Sequence, residues 1–145
     1  MATASTNTPD TDRNKETVLR FMRLVDAQDF GALDEALAPD LQFHLASSNL
    51  DRRQAEDMIR MFYAAFPDLN HVLEELLVVG DRVVLRATFQ GTHSGVFQGI
   101  APTGRRVRGG QIAIYRIVDR KIAEIWEEAD LLGLMRQIGA TEAPA

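Results

Sequence analysis

The sequence predicts an α+β fold in which a curved, largely antiparallel sheet wraps around helices. Stretches with helical spacing of apolar residues come early, and four strand-like stretches in two hairpins come late. Helices followed by antiparallel strands are typical of α+β proteins rather than of alternating βαβ folds. With 145 residues, the chain has the length of one domain. A sheet curved around helices would leave a pocket between them.

The chain begins with a polar stretch and a first amphipathic helix. Residues 1–11 are rich in Thr, Ser and Asn and are expected to form a disordered tail. Asp10 or Asp12 is a candidate cap for the helix that follows. Its buried face is indicated by apolar residues at i, i+3, i+4 and i+7, namely Val18, Phe21, Met22 and Val25.

Two further helices are expected before the long strands. A short one should cover residues 30–37 and end before Pro39, because the residue before a proline disfavours helical backbone. The next should cover residues 55–66, with Asp51 as its cap and Pro67 after its end. Both helices bring apolar side chains toward the predicted core.

The strands are indicated by alternation of apolar and polar residues. Residues 41–45 alternate as a half-buried strand does. The two later hairpins should cover residues 69–79, 82–92, 111–118 and 121–129. A short helix over residues 131–138 then closes the chain, so that one domain spans residues 12–139 and a tail covers residues 140–145.

The composition argues against several classes of protein. Asp and Glu number 21 against 16 Lys and Arg, and the resulting net charge of −5 disfavours nucleic acid or an anionic membrane as the main partner. The chain has no cysteine, which excludes disulfides, thiolate nucleophiles and iron–sulfur clusters. It also lacks an apolar run of the ~18 residues needed to span a membrane and the apolar centre of a signal peptide. A cytoplasmic location is therefore expected.

The second half of the chain carries a set of short motifs. Residues 93–95 have the pattern H-x-G, residues 99–104 read GIAPTG, and residues 110–112 read GQI. The hairpin at residues 118–122 reads VDRKI. Residues 130–139 run from an Asp through a Leu- and Gly-rich segment to Arg-Gln-Ile-Gly.

In these motifs the chain resembles the SnoaL-like polyketide cyclase (ester cyclase) family of the nuclear transport factor 2-like superfamily. The resemblance covers roughly residues 14–139. It implies a cone-shaped α+β barrel and a homodimer. It also implies a cyclase that closes a ring of an apolar β-dicarbonyl or polycyclic substrate by an aldol-type reaction, without metal or cofactor.

The resemblance also implies two catalytic residues. Asp130 matches the family's general acid/base, and Gln111 matches a glutamine near the substrate carbonyl. The family carries a His two residues after this Gln, and here that position holds Ala113. This departure bears on the particular substrate more than on the fold.

Physical chemistry gives each of these candidates two interpretations. At the rim of an apolar pocket, Asp130 would have a raised pKa suited to proton abstraction, but an Asp at this position also caps the helix that begins at Leu131. Gln111 shares one strand face with Ala113 and Tyr115. Its amide either polarises a carbonyl or faces water.

The candidate substrate-binding residues come from the predicted pocket face and from polar residues on otherwise apolar segments. They are His44, Met58, Phe62, Phe66, Arg86, His93, Phe97, Ala113, Tyr115, Trp126 and Glu128.

Several of these residues have equally simple structural roles. His44 points either into the cone or outward, and His93 suits a hydrogen bond that orders its loop. Arg86 either pairs with a carboxylate such as Glu128 or binds a ligand. Glu127 is expected in a solvated stretch, and His71 on the surface.

Two other functions remain open from the sequence. The same cone supports hydrolases, isomerases and dehydratases, because one fold hosts many chemistries. A non-catalytic binding or dimerisation module is the third possibility. No metal site is expected, because the three histidines lack the spacing of a ligand motif.

Overall fold

The computed structural model describes residues 9–139. The tails predicted at residues 1–8 and 140–145 lie outside the described residues. The described helices are α1 (Pro9–Asp26), α2 (Arg52–Ala65) and α3 (Leu131–Gln137), with a 3₁₀ turn at Phe30–Glu35. The described strands are β1 (Leu37–Leu45), β2 (Ser48–Asp51), β3 (Asn70–Val79), β4 (Arg82–Thr92), β5 (Arg106–Val118) and β6 (Lys121–Ala129).

The six strands form one mixed sheet in the order β2-β1-β6-β5-β4-β3. Neighbouring strands run antiparallel except β1 and β6, which are parallel. The predicted α+β class with a curved sheet is confirmed. The sheet stays open, with β2 and β3 as its edges, so it does not close into a barrel.

Alternation along the strands separates a concave face from an outer face. In β4 the apolar residues of one face are all buried, namely Val83, Leu85, Ala87 and Phe89. Helices α1 and α2 pack against this concave face through a continuous apolar core. A second apolar cluster joins α3 to Phe66, Phe89 and Phe97. None of the helices within residues 9–139 is long and apolar enough to cross a membrane.

Local sequence explains the start of α2. The Asp51 side chain accepts a hydrogen bond from the Gln54 amide, and the Gln54 side chain accepts one from the Asp51 amide, both at 2.9 Å. This reciprocal capping box satisfies two amides that have no partner within the helix. The predicted cap at Asp51 is confirmed, and the helix begins one residue later.

Several element boundaries differ from the sequence prediction. Residues 9–11, assigned to the tail, belong to α1. Residue 37, assigned to a helix, begins β1, because the Ile122 amide donates to the Ala36 carbonyl at 2.8 Å and draws this segment into the sheet. Residues 48–51 form a strand that pairs with β1, and residues 106–110 extend β5 along β4.

Candidate active site

A largely apolar cavity lies between the three helices and the concave face of the sheet. Its empty space, counted together with its opening to solvent, is about 790 Å³. Apolar and aromatic side chains from all three helices form most of its wall. The polar side chains on the wall are Tyr63, His71, Gln111, Tyr115 and Glu127.

Glu127 is the carboxylic acid on this wall. It lies on β6, where it pairs with Ala113 of β5 and Leu45 of β1. Burial among apolar neighbours raises the pKa of Glu127 to about 7, although the charge of His71 acts in the opposite direction. A carboxyl group with such a pKa can both accept and return a proton near neutral pH. The sequence-based assignment of Glu127 to a solvated stretch is wrong.

Gln111 shares the concave face with Glu127. It is 8% exposed and pairs with Ala129, two residues beyond Glu127 on β6. The face predicted for Gln111, Ala113 and Tyr115 is the inward one. The structure therefore brings a carboxyl group and an amide to the same wall of one cavity.

A second polar group on the wall joins three elements. The Asp26 carboxylate, at the end of α1, accepts a hydrogen bond from the Tyr63 hydroxyl of α2 at 2.6 Å. The same carboxylate accepts from His71 of β3 twice, from ring Nδ1 at 2.8 Å and from the backbone amide at 3.0 Å. Burial alone would raise the pKa of Asp26, but these hydrogen bonds lower it, so Asp26 is held ionised. The expectation that His71 lies on the surface is wrong.

The predicted apolar residues take two positions. Met58, Phe62, Phe66 and Tyr115 line the cavity. Phe97 packs behind Phe62 and Phe66, with ring centroids 5.5 and 5.4 Å away, and Ala113 is buried in the core. The side chains that face the cavity offer a flat apolar surface to a ligand.

The other polar candidates on the strands lie on the outer face. His44 bonds to Asn49 and to Glu124, at 2.6 and 2.7 Å, and stacks on Trp126. The hydrogen bond that His44 donates to Asn49, followed by the one it donates to Glu124, raises the pKa of His44. On the same face Glu128 is exposed, opposite Ile112.

Arg86 also lies outside the cavity wall. Its Nε is 3.4 Å from the Glu75 carboxylate on the outer face. Arg86 was expected to pair either with a carboxylate or with a ligand. It pairs with a carboxylate, which is Glu75 rather than Glu128. Trp126 has the Arg82 guanidinium over its ring at 5.1 Å. The expected alternation was correct for Trp126 and Glu128, but the face they share is the outer one.

His93 is completely buried beneath the ring of Phe66, outside the cavity lining. Its Nδ1 lies 2.9 Å from the Thr103 hydroxyl and accepts the Thr103 amide at 3.2 Å. Its backbone also pairs with Gly104 and Arg105. These bonds hold the loop that carries the GIAPTG motif.

Asp130 lies immediately after β6 and caps α3. Its carboxylate Oδ1 accepts the Gly133 amide at 2.8 Å, and its side chain is exposed. A Cβ at Gly133 would collide with the Asp130 carboxylate, so a larger residue there would displace the capping side chain. Ala129 and Leu131 on either side line the cavity, so Asp130 sits at the rim. Its catalytic role stays a prediction.

Sequence reasoning missed Glu127, His71, Asp26 and Tyr63. The alternation that grouped Gln111 with Ala113 and Tyr115, extended through the strand pairing, would have placed Glu127 on the same face. The bond between Asp26 and His71 joins residues 45 positions apart, and no local pattern indicates such a contact. Within residues 9–139 no cluster of three or more His, Asp or Glu side chains has metal-binding geometry.

The fold, with an apolar cavity between the helices and the curved sheet, is of the nuclear transport factor 2-like type. Residues 16–138 match the family described as SnoaL-like polyketide cyclase, and the chain belongs to that family. Aklanonic acid methyl ester cyclase of Streptomyces sp. strain C5 is 30% identical over 125 residues, covering 81% of this chain and 78% of the relative.

Solved structures support the same grouping. A putative SnoaL-like polyketide cyclase from Jannaschia sp. CCS1 has a TM-score of 0.84 and 28% identity, covering 94% of this chain and 98% of that one. A putative hydroxylase from Streptomyces galilaeus has a TM-score of 0.82 and 26% identity, covering 91% and 84%. The family match and the relative from Streptomyces sp. strain C5 support a cyclase-like enzyme.

Proposed function

We propose that this protein closes a ring in an apolar β-dicarbonyl polyketide by a cofactor-independent aldol reaction, with Glu127 as the general base. The observation that carries the proposal is a carboxyl group with a pKa of about 7 on the wall of an apolar cavity, in a member of a cyclase family. A base poised near neutral pH is suited to removing a C–H proton next to a carbonyl.

The chemistry of the cavity fits a flat polycyclic ligand. Met58, Phe62 and Phe66 present apolar and aromatic surface, and methionine adapts to irregular ligand shapes. The relative from Streptomyces sp. strain C5 is named for aklanonic acid methyl ester. We take that ester as the first test substrate.

In the proposed reaction the Glu127 carboxylate removes a proton from the carbon between two carbonyl groups. The resulting enolate carbon attacks a second carbonyl within the same molecule, one C–C bond forms, and the attacked oxygen becomes an alkoxide. The Gln111 amide donates a hydrogen bond to the enolate oxygen as charge develops there. Holding the two reacting carbons together supplies a large part of the acceleration.

Asp130, the acid/base that the sequence resemblance implies, is the competing candidate. It reaches the cavity only from the rim, and one of its oxygens is committed to the α3 cap. Glu127 lies inside the wall. The two carboxylates are three residues apart, and single isosteric substitutions separate their roles.

The test is turnover of aklanonic acid methyl ester by the wild type and by Glu127→Gln, Asp130→Asn and Glu128→Gln, followed chromatographically. Glu127→Gln should reduce kcat about 100-fold or more. Glu128→Gln is the matched comparison on the opposite face of the same strand. Loss of activity in Asp130→Asn with retention in Glu127→Gln would return the role to Asp130, and absence of wild-type turnover would exclude this substrate.

Dimerisation and a cytoplasmic location are part of the proposal. The outer face of the sheet exposes Val72, Leu77, Val79 and Ile112, each at least 44% accessible. A second copy of the chain would cover this apolar patch. Val79→Glu, at the most exposed of these positions, should shift the mass measured by light scattering from two copies toward one, and an unchanged dimer would place the interface elsewhere.

A further inference from the structure

We infer that His71, held by Asp26 and Tyr63, is a second proton-transfer residue of the cavity and donates a proton to the substrate oxygen that becomes the alkoxide. The inference rests on the proposed function, because it assigns the acid that completes the same reaction. His71 was not among the candidate site residues proposed from the sequence. Its role is inferred from the three hydrogen bonds accepted by Asp26 and from its position on the cavity wall.

The first step concerns which ring nitrogen faces the cavity. Asp26 is ionised and only accepts hydrogen bonds, so the 2.8 Å contact between its Oδ1 and Nδ1 of His71 places a proton on Nδ1. His71 lines the cavity. Nε2 is therefore the ring nitrogen left for a ligand, as in the carboxylate–imidazole arrangement that orients a catalytic histidine.

The second step concerns how firmly the ring is held. One carboxylate binds both the ring and the backbone amide of His71, and the Tyr63 hydroxyl fixes the same carboxylate from α2. The His71 side chain is 10% exposed. Asp26 and Tyr63 are positioning residues in this arrangement, because they act on the substrate only through His71.

The third step concerns the partner across the cavity. The charge of His71 favours ionised Glu127, so the two groups interact electrostatically from different strands of one concave face. Asp26 of α1 contacts His71 directly, Tyr63 of α2 acts on it through Asp26, and Glu127 of β6 interacts with it through charge. A carboxyl group and an imidazole therefore line one cavity.

The proton transfers balance in this arrangement. Glu127 takes the proton from carbon, the C–C bond forms, and the carbonyl π pair becomes the alkoxide lone pair. Nε2 of the His71 imidazolium gives its proton to that oxygen, which becomes the product hydroxyl. The enzyme is left with protonated Glu127 and neutral His71, and transfer of one proton from Glu127 to His71 through water restores the starting state.

The kinetic test uses His71→Asn with aklanonic acid methyl ester. The Asn amide can still donate to Asp26, while the ring nitrogen that faces the cavity is removed. We expect kcat to fall about 100-fold with KM changed less than about threefold. Asp26→Asn should lower kcat in the same direction, whereas Asp29→Asn, an exposed residue near the same helix end, should not. A His71→Asn enzyme within about twofold of wild-type kcat would overturn the inference and leave Glu127 as the proposed base.

A second readout separates failure of the inference from failure of the proposed function. In protein with ¹⁵N-labelled histidine, the two ring-nitrogen signals of each of the three histidines are assigned by single substitutions. These signals are then followed while the Glu127→Gln protein is titrated with the ester. We expect the Nε2 signal of His71 to move while its Nδ1 stays protonated, and Asp26→Asn to weaken that Nδ1 preference. Movement of Nε2 without wild-type turnover would reject the ring closure and keep His71 as the ligand's hydrogen-bonding partner. An unmoved Nε2 overturns the inference with or without turnover.

Discussion

Ala113 and Glu127 face each other as paired residues across β5 and β6, and the methyl group of Ala113 brings no hydrogen bond or charge to the carboxyl group. The family pattern places a His at this position. Because Ala113 leaves Glu127 among apolar neighbours, burial dominates its titration and raises its pKa to about 7. Ala113 therefore adds no group that would lower the pKa of Glu127.

Stability should fall as pH rises through neutrality because of Glu127. Its pKa is raised in the folded state from an ordinary value of 4.5 to about 7. The folded protein therefore binds more protons between those values, and the Glu127 contribution, complete below pH 4.5, is lost as pH approaches 7. Glu127→Gln should remove this loss and gain on the order of 2 kcal/mol over wild type at pH 8 relative to pH 5. Urea unfolding at the two pH values checks this, and Glu128→Gln should keep the wild-type difference.

An imidazole placed beside Glu127 should lower the pKa that burial raises. Ala113→His introduces an imidazole into a position that is 1% exposed, and overpacking of this kind costs roughly 1–3 kcal/mol of unfolding free energy. Its charge should lower the pKa of Glu127, as seen in the Glu127 carboxyl carbon shift during an NMR titration. An unchanged Glu127 titration would show that residue 113 does not control this group.

The Tyr63 hydroxyl should stabilise the fold through Asp26. Tyr63→Phe removes a 2.6 Å hydrogen bond to a carboxylate, and bonds to charged groups contribute about 1.5–3 kcal/mol. The pKa of Asp26 should rise toward its ordinary value. Tyr115→Phe is the matched control, since the Tyr115 hydroxyl donates only to the Met22 sulfur at 3.7 Å. Equal losses of unfolding free energy in the two variants would contradict the role given to Asp26.

The adjacent glycines of β5 should respond differently to alanine. A Cβ at Gly109 would collide with the Phe89 ring, which lines the cavity, whereas a Cβ at Gly110 meets open space. Gly109→Ala should cost about 1–3 kcal/mol in stability and weaken ligand binding, while Gly110→Ala should be neutral or gain up to about 1 kcal/mol. Denaturation and ester titration of both variants measure the contrast. A Gly109→Ala protein that matches wild type would show that Phe89 can move freely.

Two substitutions of Asp130 should separate the effect of its charge from that of its capping hydrogen bond. Asn is as good an N-cap as Asp, so Asp130→Asn should change stability by only a few tenths of a kcal/mol, whereas Asp130→Ala should cost about 1 kcal/mol. Thermal denaturation tests both. A large loss in Asp130→Asn would mean that its activity cannot be interpreted as a test of acid/base chemistry.

The fold was predictable where local pattern and long-range pairing agree. The last hairpin and the helix after it alternate or repeat cleanly, and β6 spans the predicted residues 121–129. The short segment before Pro39 was assigned to a helix because its apolar spacing permits one. Pairing of Leu37 with Ile122, which joins distant parts of the chain, decided in favour of the strand.

The site was only partly predictable for a related reason. Gln111 was proposed because of the family resemblance, and alternation placed it on one strand face with Ala113 and Tyr115. Glu127 was missed because the pocket face of β6 was counted from Asp130. Residue 130 shares the parity of Trp126 and Glu128, which is that of the outer face. The Asp26–His71 bond depends on how α1 ends beside β3, and no sequence period carries that information.

The parallel contact between β1 and β6 has a consequence for how the protein folds. Its partners, such as His44 and Trp126, are separated by most of the domain. The long loop between them must close, at a cost in chain entropy, before this pairing can stabilise the fold. A sheet whose centre depends on such distant segments folds slowly compared with one built from neighbours. During synthesis, β1 cannot pair with β6 until β6 has left the ribosome. The cavity wall that carries Glu127 is therefore completed late in folding.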